Sequence, residues 1–168
     1  MAYVDLDPDT VQVSNELLTD EPDAVCLLGD AREPEDIVER AGLLDFAKPV
    51  GLLLVSVLPF VPGDVRPLVR RYLQRLAPGS YLALTHITTP DDEGIRRRQS
   101  AVTQNYNANV RQNVTTRTRE EVGALFAGTE LVPPGLLLAT HWNPPRGYTP
   151  APDDQASAVL LGAVGRVP

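Results

Sequence analysis

Asp5 and Asp30 are the residues whose type and placing invite a ligand. Asp5 closes AYVD (2–5) and Asp30 closes AVCLLGD (24–30), two short apolar segments that each turn at once into a helix pattern. A carboxylate at a strand tip can accept hydrogen bonds from both hydroxyls of a ribose. A second one at the next tip, with Ala31 beside it, can meet the exocyclic amine of adenine. Apolar neighbours such as Leu6, Val57 and Leu58 could sandwich the flat base, which gains dispersion and sheds water. Asp is also favoured at helix caps and turns, so the residues alone leave a second account open. In that account Asp7 caps a helix, Asp30 caps a turn and Asp5 is an exposed strand end.

The elements that must position these tips follow from periodicity. In DPDTVQVSNELL, Asp7 suits an N-cap and Pro8 the first helical position, with Val11, Ser14, Leu17 and Leu18 at helical spacing. AVCLLGD is a strand, and EPEDIVERAGLL puts Ile37, Val38, Ala41 and Leu44 on one helical face. VGLLLVSVL (50–58) scarcely alternates, the pattern of a strand buried on both faces. DVRPLVRRYLQRL is an amphipathic helix with Asp64 as its expected cap and Arg66, Arg70, Arg71 and Arg75 on a solvated face. YLALTHI (81–87) is a fourth strand.

Thr118 and Glu121 have capping-box spacing ahead of Val122, Leu125 and Phe126, and Gly128 can stop that helix. GLLLATHW (135–142) and SAVLLGAVGR (157–166) are expected to form an antiparallel pair, since no crossover helix lies between them. The polar, Asn-rich stretch around Tyr106 reads as a loose helical excursion or a loop. Four strands alternate with three helices, which describes an open parallel α/β sheet in one domain. Such sheets take ligands beyond the carboxyl ends of their strands, here Asp5–Asp7, Gly29–Ala31, Ser56–Phe60 and Thr85–Thr88.

Composition removes several alternatives. With 15 Lys+Arg against 22 Asp+Glu, the net charge of -7 opposes the phosphate attraction on which nucleic-acid binding rests. No run approaches the ~20 apolar residues of a membrane span, and no charged leader precedes an apolar region, so a cytoplasmic location is expected. The single Cys26 lies in an apolar run and reads as a small buried hydrophobe. His86 and His141, the two histidines, sit in strand patterns without metal-ligand spacing, and no G-x-S-x-G elbow accompanies them. Trp142 and Tyr148 flank a Pro-rich loop and are expected to pack.

The words themselves resemble a family. YVDLDP, LLGDAREPEDI, KPVGLLLVSVLPFVP, LAPGSYLALTHIT, ELVPPGL and GAVGRVP look like successive segments of actinobacterial S-adenosyl methyltransferases once catalogued as a domain of unknown function. These are a branch of the class I methyltransferases. The resemblance covers nearly the whole chain from residue 2 and keeps the order of the blocks. It implies a Rossmann-like class I methyltransferase sheet, mostly parallel with a C-terminal antiparallel strand pair. It also implies S-adenosylmethionine as cofactor and a small molecule as methyl acceptor. By it Asp5 would hold the ribose, Asp30 with Ala31 the adenine edge, and Ser56, Val57 and Leu58 would line the pocket floor. No catalytic base is named, because in-line transfer from a sulfonium depends mostly on near-attack geometry.

One departure stands out. Family members carry an N-terminal segment with a first strand and a glycine-rich loop for the methionine end, whereas no glycine here precedes Gly29. In the family's strand order the absent strand would lie between segments 2–5 and 50–58. A front-truncated chain, or direct pairing of those two segments, is therefore expected, and an open edge gives a motive for self-association. Two rivals remain: an NAD-binding oxidoreductase, which this sequence disfavours because it lacks Tyr-x-x-x-Lys and has Lys48 as its lone lysine, and a non-enzymatic remnant or interaction module.

Overall fold

The computed structural model describes residues 1–89, 93, 113–148 and 159–168; the Asn-rich stretch around Tyr106 lies outside them. β1 (Ala2–Asp5) gives way to α1 (Pro8–Leu17), started by Pro8 and by the Asp7 side chain, which accepts the Asp9 N–H at 2.9 Å. β2 (Val25–Leu28) and α2 (Pro34–Arg40) follow, then β3 (Gly51–Val55), a 3-10 turn over Leu58–Phe60, and α3 (Arg66–Leu73). β4 (Tyr81–Ile87) precedes α4 (Arg119–Ala124), whose capping box between Thr118 and Glu121 is fully made. The chain closes with β5 (Glu130–Leu131), β6 (Leu137–Leu138) and β7 (Leu160–Arg166).

The strands form two sheets. β1 and β2 pair in parallel with Ala2 opposite Val25 and Asp5 opposite Leu28. In the second sheet β3 and β4 are parallel, while β7 runs antiparallel to β4 and also takes β5 and β6. This is the expected mixed α/β class, parallel in front and antiparallel behind, with β7 inserted between β4 and the two short strands. Direct pairing of β1 with β3 is not what the chain adopts. Each keeps one edge without a strand partner among the described residues.

α2 and α3 tie the sheets together. Arg71 donates to Glu35 (Nε to Oε1, 3.1 Å) and to the Arg32 carbonyl (3.2 Å), so it is an inter-helix tie rather than part of a solvated arginine face. Tyr72 Oη donates to the Ala31 carbonyl at 2.8 Å, and Ile37 packs against the main core. That core lies under α3 and α4, where alternation along β4 buries Leu82, Leu84 and His86 on one face.

Four expectations need correcting. β3 is not buried on both faces: Leu54 is in the core, but Leu53 and Val55 are 64% and 55% exposed, because no described element covers their side. A continuous apolar run records what a strand tolerates, not what covers it. Val65, not Asp64, occupies the cap of α3; Asp64 instead accepts the Arg66 N–H at 3.0 Å and pairs with its guanidinium. GLLLATHW is extended only at Leu137–Leu138 and then enters a 3-10 turn holding His141. Gly135 turns at φ +85° and Trp142 Nε1 donates to its carbonyl at 3.1 Å, curling the segment onto itself. Tyr148 is 47% exposed and does not pack as expected.

Candidate functional site

The parallel ladder puts the tips of β1 and β2 side by side, and the Gly29 N–H donates to the Asp5 carbonyl at 2.8 Å. Asp5 is half-buried and its Oδ1 accepts the Asp7 N–H at 2.9 Å, which turns the chain into α1 and leaves further lone pairs on the carboxylate. Leu6 next to it is 52% exposed. Asp30 sits in the turn after β2, where Arg32 engages it: Oδ1 accepts the Arg32 N–H and Nε–H, both at 2.9 Å, and Oδ2 also accepts from the guanidinium. That hydrogen bond holds the Asp30 carboxyl below its usual range. A second amine can therefore reach Asp30 only by sharing oxygens with Arg32.

Ala31 presents its backbone. Its carbonyl accepts from Tyr72, whose hydroxyl is pushed up to about 12 by burial and, secondarily, by the charge of Asp30. Its N–H makes no hydrogen bond among the described residues, so a donor stands beside the Asp30 acceptors. Acceptor and donor side by side form the complement of an adenine edge.

Ser56 to Leu58 belong to the second sheet, at the carboxyl end of β3. Ser56 has φ +55°, a left-handed conformation that a non-glycine residue adopts at a cost and that clusters at ligand sites. Thr85 steadies it: its Oγ1 accepts the Ser56 N–H at 2.9 Å and lies 3.1 Å from Ser56 Oγ. Val57 is half-buried. Leu58 is fully buried in the main core and offers the site its backbone only, so a base-sandwiching role for its side chain does not hold.

Arg117 is a residue that sequence reasoning missed. At 6% exposure it reaches back from the start of α4 and donates to the carbonyls of Leu58 (3.1 Å), Val61 (3.0 Å) and Gly63 (2.7 Å), pinning the turn that follows β3. One arginine within TTRTRE carries no sign of burial, so no sequence signal marked it. Two cavities are described, one of about 280 Å³ at Asp64, Arg117 and Glu121 and one of about 400 Å³ at Arg70 and Gly128; neither is lined by Asp5, Asp30 or Ser56. The edge of β1 away from β2 has no strand partner among the described residues. No group of three or more potential metal ligands occurs among the described residues.

A crystal structure of a DUF574 family protein from Streptomyces avermitilis MA-4680 superposes over 99% of the chain with a TM-score of 0.86 at 30% identity. A proposed methyltransferase from Thermobifida fusca YX does so over 99% with a TM-score of 0.84 at 28% identity. The chain spans 64% and 62% of those two proteins, less than two thirds of either. The N-methyltransferase NodS from Bradyrhizobium japonicum WM9, crystallised with S-adenosyl-L-homocysteine, shares the fold at 13% identity, a TM-score of 0.57 and 99% coverage of this chain against 66% of its own. No curated protein matches. A family model described as S-adenosyl methyltransferase matches residues 1–168, the whole chain, and on that match this protein belongs to the S-adenosyl methyltransferase family, with a class I, Rossmann-like fold.

Proposed function

We propose that the chain carries the nucleoside side of an S-adenosylmethionine-dependent methyl transfer to a small molecule. Asp5 accepts the ribose hydroxyls, and Asp30 with the Ala31 N–H meets the adenine edge. Leu6 and Val57 flank the base, and the backbone of Ser56 and Leu58 forms the floor. The observation that carries this reading is the parallel register of β1 and β2, with Asp5 opposite Leu28 and the Gly29 N–H on the Asp5 carbonyl, which brings the two acidic tips to one end of one sheet. The cofactor, when bound, supplies a methyl group on a sulfonium. The chain's own residues bind and orient, and no proton need move through a side chain for in-line transfer.

The net charge of -7 favours a small-molecule acceptor over a nucleic acid. Among the described residues no helix is long and apolar enough to cross a membrane. A cytoplasmic location belongs to the same reading, as does self-association through the open edges of β1 and β3.

Calorimetry with S-adenosylmethionine, S-adenosylhomocysteine and NAD tests it. The two adenosyl-sulfur ligands are expected to bind and NAD is not. Asp5→Asn and Asp30→Asn are each expected to weaken binding about tenfold, the loss of about 1.4 kcal/mol. Binding of NAD alone overturns the assignment in favour of an oxidoreductase. No heat with any adenosyl ligand, together with a cooperative melt, leaves the non-enzymatic reading in its place.

A further inference from the structure

Arg117 is a buried cation that no carboxylate touches among the described residues. Burying a charge is costly unless its hydrogen bonds are all met. Here the two terminal nitrogens are fully engaged: Nη2 donates to the carbonyls of Val61 and Gly63, and Nη1 to the carbonyl of Leu58 and to His86 Nε2 at 2.6 Å. All four Nη hydrogens are thus used.

His86 completes the set only as a neutral ring. It is fully buried at the end of β4, and its Nδ1 lies 2.8 Å from the Ile87 carbonyl oxygen. A carbonyl only accepts, so Nδ1 carries the proton. A guanidinium only donates, so Nε2 must accept. A second proton on the ring would set two donors against each other at 2.6 Å.

The clamped turn leaves the carboxyl end of β3, begins at the left-handed Ser56 and presents Phe60 at 40% exposure. Thr115, two residues before Arg117, donates its N–H to the Pro59 carbonyl at 2.8 Å, so the same segment holds the turn twice.

We propose that His86 is a positioning residue: as a neutral acceptor it keeps the Arg117 fork on the carbonyls of Leu58, Val61 and Gly63, fixing the turn that borders the ligand site, and a proton on Nε2 releases that turn. The link to ligand affinity rests on the nucleoside reading above; the latch itself does not. The charges around the pair are Arg117 itself, Glu120 and Glu121 of α4, and Asp64 with Arg66 at the start of α3, all of which line the cavity of about 280 Å³. Burial holds His86 below its ordinary value, the Ile87 hydrogen bond works against this, and the Arg117 charge adds to it. Asp64, at about 2, stays ionised throughout the range in which an imidazole titrates.

The test follows the turn and the ligand separately. Amide NMR shifts of Phe60, Val61 and Gly63 are recorded in the ligand-free protein from about pH 8 down to about pH 5. S-adenosylhomocysteine affinity is measured by calorimetry at both ends. His86→Gln puts an amide oxygen where Nε2 stands and does not titrate; His86→Leu removes the acceptor. In the wild type the amides are expected to titrate together and affinity to fall about fivefold or more toward acid. In His86→Gln both responses flatten, and in His86→Leu affinity is low at both ends while the melt stays cooperative. Amides that do not titrate, or that titrate as much in His86→Gln, overturn the proposal, as does wild-type affinity in His86→Leu. Titrating amides in a protein that takes no S-adenosylhomocysteine at either pH would leave the latch standing and sink the nucleoside reading.

Discussion

Asn15 of α1 holds Cys26 of β2 by both of its backbone groups: Nδ2 donates to the Cys26 carbonyl and Oδ1 accepts the Cys26 N–H, each at 2.9 Å. A side-chain amide has the same donor and acceptor pair as a peptide, so Asn15 stands in for one residue of a neighbouring strand. The outer edge of β2 is closed by it, while β1 and β3 keep an edge without a strand partner among the described residues. That edge of β2 is therefore covered at Cys26, whereas the free edges of β1 and β3 are not.

Asn15→Ala is expected to cost about 1–2 kcal/mol, because both groups of a largely buried backbone lose their partner at once. Asn15→Asp keeps the acceptor but sets a carboxylate oxygen against the Cys26 carbonyl, and is expected to be no better than alanine. Urea midpoints measure both. An unchanged midpoint in the alanine variant would mean that water replaces the amide at no cost.

Gly165 on β7 has a different constraint. A Cβ there would clash with Thr129 Oγ1 and lie 2.9 Å from Thr129 Cβ and 3.0 Å from Phe126 Cδ1, whereas at Gly162 the nearest atom is 3.5 Å away. Gly165→Ala is expected to destabilise by about 1–3 kcal/mol through overpacking, and Gly162→Ala by much less. Equal melting temperatures for the two variants would show that the turn after α4 gives way freely.

Elements with several turns or a full alternation were legible in the sequence, and what depends on distant partners was not. The capping box at Thr118 and Glu121, the Asp7–Pro8 start of α1 and the alternation of YLALTHI are local patterns, and each folds as its pattern says. β5 is two residues, too short to carry any period. The bare face of β3 and the burial of Arg117 depend on which elements arrive to cover them, and no residue type records that. At the candidate site the chain order showed that Asp5 and Asp30 end neighbouring strands. It did not show that Arg32 already occupies Asp30, or that Leu58 turns into the core.

Ser56 separates strain from bonding. Its φ of +55° costs a non-glycine residue about 1 kcal/mol, and its hydroxyl returns part of that through Thr85 Oγ1 at 3.1 Å. Ser56→Ala keeps the strain and loses the bond, while Ser56→Gly loses both. The glycine variant is expected to be the more stable of the two by about 1 kcal/mol, less what glycine gains in the unfolded chain. Thermal melts compare them directly, and an alanine variant that outlasts the glycine variant would show that the turn is not strained at this residue.

Arg32 decides how Asp30 responds to pH. The side-chain hydrogen bond from Arg32 lowers the Asp30 carboxyl from its reference of 3.8, with burial working the other way. A group depressed in the folded state contributes stability that is present above its unfolded value and lost as pH falls through the folded one. In Arg32→Ala the guanidinium's hydrogen bonds and charge are gone, while the backbone N–H of residue 32 on Oδ1 and the burial remain, so the Asp30 midpoint, read from its carboxyl carbon by NMR, is expected to rise. The same variant frees Asp30 oxygens for an exocyclic amine, so affinity for S-adenosylhomocysteine at neutral pH is expected to hold or tighten. Weaker binding in Arg32→Ala would mean that the guanidinium, not the carboxylate it covers, is what meets the ligand.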